Sequence, residues 1–168
     1  MIITKTPYRI SFFGGGSDYP SWYKKFGGSV LSTTIDKYIY ISCRELPPFF
    51  DHKYRIVWSK IENVKTINEI KHLTVRKLIK YNKIKSGLEI HYDGDLPARS
   101  GMGSSSSFSV GLMRALNNHQ HRDIKGINLA YKTIIFEQKI MKETVGSQDQ
   151  VAASVGGFNK INFLKKIG

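Results

Sequence analysis

Cysteine is almost missing from this chain: Cys43 is the one such residue in 168, so neither an internal disulfide nor a thiolate zinc cluster can form. That excludes a fold stapled for secretion and makes the reducing cytoplasm the expected compartment. Acid is also scarce, with 13 Asp and Glu against 26 Lys and Arg, a formal net charge of +13. No charge-free apolar run is long enough to cross a bilayer, and the opening MIITKTPYRISFF lacks the unbroken apolar stretch of a secretory signal. No membrane association is expected. What is present is a hydrophobic fraction of 40%, with 12% aromatics, enough for one globular core and too much for wholesale disorder.

The positive charge is concentrated. Residues 53–85 hold ten Lys or Arg against Glu62 and Glu69, a patch suited to nucleic acid, an anionic surface or a phosphorylated small molecule. The same stretch reads as an ordinary helix, with Thr66 and Glu69 as a capping box and Ile70, Leu73, Leu78 and Tyr81 on one face, which makes the lysines a solvated surface.

Alternation predicts strands over 2–13, 29–35, 38–44, 54–59 and 87–92, with Pro47-Pro48 as a break and 93–97 as a turn. Helical spacing follows. Phe108, Leu112, Ala115 and Leu116 mark one stripe; Leu129, Thr133, Phe136 and Ile140 mark another within 123–143; a short helix is predicted over 147–154 and a strand over 158–164. Strands first and helices later, in one block, imply an α+β domain and not a regular doubly wound sheet.

Two glycine-rich segments stand out. In Leu96-Pro97-Ala98-Arg99-Ser100-Gly101-Met102-Gly103, followed by Ser104, Ser105, Ser106 and Ser107, the glycines let a ligand approach the backbone. The serines offer hydroxyls and N–H groups at a helix start, where an anion is favoured. A Gly/Ser linker with a serine N-cap is the other reading. A Walker loop is excluded because no Lys follows the glycines, and the dinucleotide fingerprint lacks its third Gly. The second segment runs from Pro7 through Gly14, Gly15 and Gly16 to Ser17, Asp18 and Tyr19. Either exposed amides and the Asp18 carboxylate meet substrate hydroxyls, or this is a bulged turn with Asp18 as an Asx cap.

Taken together and in this order, the two segments resemble the N-terminal region of the GHMP kinases, the galactokinase, homoserine, mevalonate and phosphomevalonate kinase superfamily. Met102 stands where that family usually has Leu. The wording Gly-Gly-Gly-Ser-Asp-Tyr with Ala-Arg-Ser-Gly-Met-Gly-Ser-Ser-Ser is most similar to the D-glycero-D-manno-heptose 7-phosphate kinases, whereas galactokinases have Glu-His-Thr-Asp at the turn. The resemblance implies a ribosomal-protein-like two-layer α/β sandwich and ATP-dependent phosphorylation of a sugar phosphate, most nearly that heptose 7-phosphate at its C1 hydroxyl. It also implies that 1–168 is the N-terminal ATP-binding domain, truncated, with the C-terminal domain missing.

The roles it implies are specific. Gly101, Gly103 and Ser104 to Ser107 hold the ATP phosphates, and Gly14, Gly15, Gly16, Ser17 and Asp18 contact the sugar. Asp149 takes the proton of the attacking hydroxyl with Arg9 beside it; Ser105 and Glu137 ligate Mg²⁺. The residues themselves also allow Asp149 to be a helix-start acid in a Ser147–Gln150 capping box, and Arg9 a surface residue. Glu137 falls on a stripe with Ala130, Ile134 and Met141, where an acid needs a partner; the other reading is an edge acid paired with Lys139 or Lys142. His119 and His121 lack further metal ligands nearby. A truncated non-catalytic homologue and a basic nucleic-acid-binding module are the alternatives, the latter disfavoured because RNA binding needs none of Asp149, Arg9 and Glu137.

Overall fold

The computed structural model describes residues 1–98 and 100–165; Arg99, within the loop motif, and the last three residues lie outside them. One mixed sheet is ordered β4-β3-β5-β2-β1, with β6 also paired to β2. β1 (Ile2–Phe13) and β2 (Gly28–Glu45) form its long antiparallel spine. β3 (Tyr54–Val57) lies parallel to β5 (Leu88–Gly94) and antiparallel to β4 (Ile61–Val64), while β6 (Phe158–Phe163) pairs with the first part of β2. Among the described residues, five α-helices complete the domain: α1 (Pro20–Phe26), α2 (Leu73–Tyr81), α3 (Ser104–His119), α4 (Gly126–Ile135) and α5 (Gln148–Val155). This is the expected α+β layering.

The core follows from alternation. Ile39, Ile41 and Cys43 point inward from β2, Leu88 and Ile90 from β5, and they meet Leu112, Met113 and Leu116 of α3. The two strands expected over 29–35 and 38–44 are one strand, irregular between Thr34 and Tyr38, where β1 shifts register. The strand expected over 54–59 is a hairpin, β3–β4, turning at Trp58. No stripe announced α1, which buries no residue.

Two helix predictions need correction. Thr66 and Glu69 bond to each other around a single 3₁₀ turn, Ile67–Glu69, and α2 begins later, at Leu73; its inner face is Val75, Leu78 and Ile79, with Leu73 turned outward. The segment after α4 widens into a π-helical turn, Phe136–Met141. The extra residue per turn rotates the stripe, so Phe136 and Glu137 both face inward and Ile140 is 41% exposed. No helix among the described residues is long and apolar enough to cross a membrane.

Candidate active site

A cleft of about 290 Å³ opens where the end of β1 meets the starts of α3 and α5. Arg9 lines it from β1. The β1–β2 register shifts between Pro7 and Arg9, with the extra residues 35–37 on the β2 side; Tyr8 is buried in the core and Arg9 next to it stands in the cleft wall. The Arg9 backbone N–H donates to the Met102 carbonyl (3.2 Å), and its guanidinium donates to the Gly101 carbonyl (2.8 Å). Gly103, at φ +74°, is the N-cap of α3 and lies against the same cation: a Cβ there would sit 3.4 Å from Arg9 Cγ. The glycine loop is thus fastened to β1 and opens the sixteen-residue α3, whose N-terminal amides favour an anion.

Asp149 faces Arg9. Nε donates to Oδ1 at 2.8 Å, the side chains being 12% and 25% exposed. Burial pushes the Asp149 carboxyl above its ordinary value; Arg9 opposes this by charge and hydrogen bond, and neighbouring Asp18 adds to the rise. The capping-box reading of Asp149 fails, because Ser147 makes no side-chain cap bond and instead accepts from Gln138 Nε2. The cap comes from Asp18, across the fold. Its carboxylate, 1% exposed, accepts from the N–H of Gln148 (3.1 Å), from Gln148 Nε2 (3.3 Å) and from the N–H of Gly16 (3.1 Å). Gly146 makes room for it: a Cβ there would lie 1.8 Å from Asp18 Oδ2.

Glu137 is buried, 1% exposed, which excludes an edge acid paired with Lys139 or Lys142. Ser106 Oγ donates to its Oε2 (3.0 Å), Gln150 Nε2 donates to the same oxygen, and Oε1 has no partner among the described residues. Burial raises the Glu137 carboxyl above its ordinary value, with the neighbouring Ser109, Gln150 and Ser106 side chains opposing. An orphaned carboxylate oxygen beside a serine hydroxyl is an oxygen-donor set suited to a hard divalent cation, and Mg²⁺ typically takes one or two carboxylates with phosphates completing its shell. Such a set fits the chain. Among the described residues no group of three or more His, Cys, Asp or Glu gathers at one point, and His119 bonds to Ser86.

The remaining predicted residues divide. Gly101, Gly103, Ser104, Ser105 and Ser106 line the cleft with Arg9, Asp18 and Asp149. Ser105 is exposed, and Ser106 is the loop serine bonded to Glu137. Ser107 turns away and donates to the Pro7 carbonyl (2.9 Å). The glycine turn faces β2 more than the cleft. At φ +83°, Gly14 packs so closely that a Cβ would lie 1.9 Å from the Ser29 carbonyl oxygen, and Ser17 Oγ donates to the Gly14 carbonyl and accepts from the Ser29 N–H. Gly15 and Gly16 do not line the cleft; the Gly16 N–H serves Asp18. Sequence reasoning missed Tyr19, Gly146 and Gln148 in the wall, and Gln150 behind it on Glu137. The basic stretch is partly engaged locally: Arg55 pairs with Glu89, Lys80 bonds to Asn68 and Lys77 to the Ile140 carbonyl.

Comparison with known proteins places the chain in a family. Residues 66–157 match the model of the GHMP kinases N terminal domain. The chain is 30% identical to a D-glycero-alpha-D-manno-heptose 7-phosphate kinase of Campylobacter jejuni, over 96% of this chain and 50% of that protein. It is 26% identical to a galactokinase of Pyrococcus furiosus, over 97% of this chain and 46% of that one. The chain therefore spans about half the length of the curated relatives it matches. Its fold superposes at a TM-score of 0.87 on a D-glycero-D-manno-heptose 1-phosphate kinase from Bacteroides thetaiotaomicron, with 24% identity, covering 98% of this chain and 57% of that one. With 92 residues matched from before α2 to the end of α5, the chain belongs to the GHMP kinases, whose N-terminal domain it carries.

Proposed function

We propose that this domain, the unit 1–168, is the ATP-binding and base-carrying part of a sugar kinase. The observation that carries the reading is the Arg9–Asp149 pair set against a glycine loop at the start of a long helix. The loop amides of residues 101–106 receive the triphosphate, Glu137 and Ser106 hold Mg²⁺, and Asp149 accepts the proton of the attacking hydroxyl. When bound, the cation neutralises charge on the phosphate being transferred. The raised Asp149 carboxyl suits the base role, since a group nearer the working pH takes up a proton more readily. Arg9 holds that carboxylate in place and offsets charge developing beside it.

The acceptor is a sugar phosphate, and by similarity D-glycero-D-manno-heptose 7-phosphate at C1, entering past Asp18 and Tyr19. A carboxylate offers about four lone-pair positions, and Asp18 spends three on N–H donors, so about one is left for a sugar hydroxyl. This reading places the protein in the cytoplasm, where ATP and phosphorylated sugars are found. Incubation with Mg·ATP and either heptose 7-phosphate or galactose, with products followed by ³¹P NMR, tests the assignment. A new C1 phosphate on the heptose is expected; equal or better turnover of galactose would sink it.

A further inference from the structure

Three consecutive residues open α5, and each ends on a different group of the site. Gln148 holds Asp18, Asp149 pairs with Arg9, and Gln150 donates to Glu137. Gln150 is 0% exposed and lies outside the cleft wall. Its amide nitrogen is committed to the Glu137 carboxylate, and its own carbonyl oxygen has no partner among the described residues. A half-satisfied amide is a costly core residue; Ala152 and Ala153 fill the following buried positions of the same helix without that cost. Packing therefore gives no reason for a glutamine at this position.

The geometry at Glu137 supplies one. Ser106 Oγ and Gln150 Nε2, the two donors within bonding distance, both grip Oε2; Ser109 stands near the carboxylate, and Oε1 has no bonded partner among the described residues. Resting on the reading that Glu137 serves Mg²⁺, we propose that Gln150 is a positioning residue: it fixes the carboxylate by one oxygen and so presents the other to the cation. A neutral amide donates without supplying a charge. A lysine would neutralise the ligand, and a glutamate would repel it. Because Gln150 follows Asp149 on the same turn, it also ties the cation position to the Arg9–Asp149 pair.

The test is a Mn²⁺ titration in the presence of a non-hydrolysable ATP analogue, followed by the free-ion EPR signal, on the unaltered protein, Gln150→Leu, Glu137→Gln and the double variant. Loss of an outer partner of a metal ligand typically weakens affinity by about 10- to 100-fold, and Gln150→Leu is expected to show that loss. The double variant should bind no worse than Glu137→Gln alone. If Glu137→Gln binds Mn²⁺ like the unaltered protein, the metal reading fails and the inference with it. If Glu137→Gln loses the ion while Gln150→Leu keeps full affinity, the positioning role alone is refuted. Should Gln150→Leu not fold, the Gln150 side-chain amide resonance of the unaltered protein decides. It should move on adding Mg²⁺ with the analogue and stay still in Glu137→Gln, and a resonance that never moves overturns the proposal.

Discussion

Gly146→Ala isolates one contact between the two halves of the cleft. Gly146 has an ordinary backbone conformation, so an added methyl brings no φ penalty; its whole effect is on Asp18. The new Cβ would lie 1.8 Å from Oδ2 and 2.5 Å from Cγ, where real contacts stay above 3.0 Å, so the carboxylate must retreat by more than an ångström. That retreat breaks the bond from the Gln148 N–H (3.1 Å) and strains the one from its side chain (3.3 Å). A hydrogen bond to a charged group contributes roughly 1.5–3 kcal/mol, so the expected loss of stability is about 2–4 kcal/mol. Urea unfolding followed by tryptophan fluorescence measures it. In an Asp18→Ala background there is no carboxylate to strike, and adding Gly146→Ala should cost less than about 0.5 kcal/mol, giving a coupling of about 2 kcal/mol or more. Costs that simply add, or a Gly146→Ala protein as stable as the original, would refute the trans-capping role of Asp18.

Gly103→Ala places a side chain at φ +74° beside Asp149 and should cost about 1–2 kcal/mol, read in the same unfolding assay. Ser106→Ala should weaken Mg·ATP binding by roughly 10-fold in calorimetry, because it removes the hydroxyl on Glu137, whereas Ser105→Ala should change it by less than about 3-fold. The Asp149 carboxyl is raised in the folded state, so between its ordinary and folded values the native protein binds more protons than the unfolded chain. Its contribution is full below the unfolded value and is lost as pH rises through the folded one. The stability of the unaltered protein relative to Asp149→Asn should therefore fall as pH rises through that window, in parallel urea series; a difference that grows with pH would contradict the burial-dominated shift.

Much of this was legible because it depended on local pattern. β1, α3 and the turn into the glycine loop followed from alternation, helical spacing and Gly101 and Gly103. Glu137 could be singled out because an acid on an apolar stripe with Ala130 needs a reason. What escaped depended on tertiary contact. Ile140 was placed inward by a 3.6-residue period that the π-helical turn breaks. Four adjacent serines carry no mark of which one faces Glu137; the start of α3 decides that, and it selects Ser106. Gln148 and Gln150 looked like ordinary helix-start residues, since a neutral amide acquires meaning only from the carboxylate it meets. Asp18 carries no mark in the sequence of the helix it caps, because besides the local Gly16 N–H it accepts from Gln148, 130 residues away.

The role proposed for Asp149 is to accept a proton, beyond serving as a helix-start acid. Steady-state turnover of sugar phosphate by Asp149→Asn, beside the unaltered protein and with a thermal melt of each, tests it most directly. Asparagine keeps the size and some hydrogen bonding but cannot take the proton. The expected result is a kcat lower by about 10²- to 10⁴-fold, with KM little changed and folding retained; a normal kcat in a stably folded Asp149→Asn protein would contradict the base role.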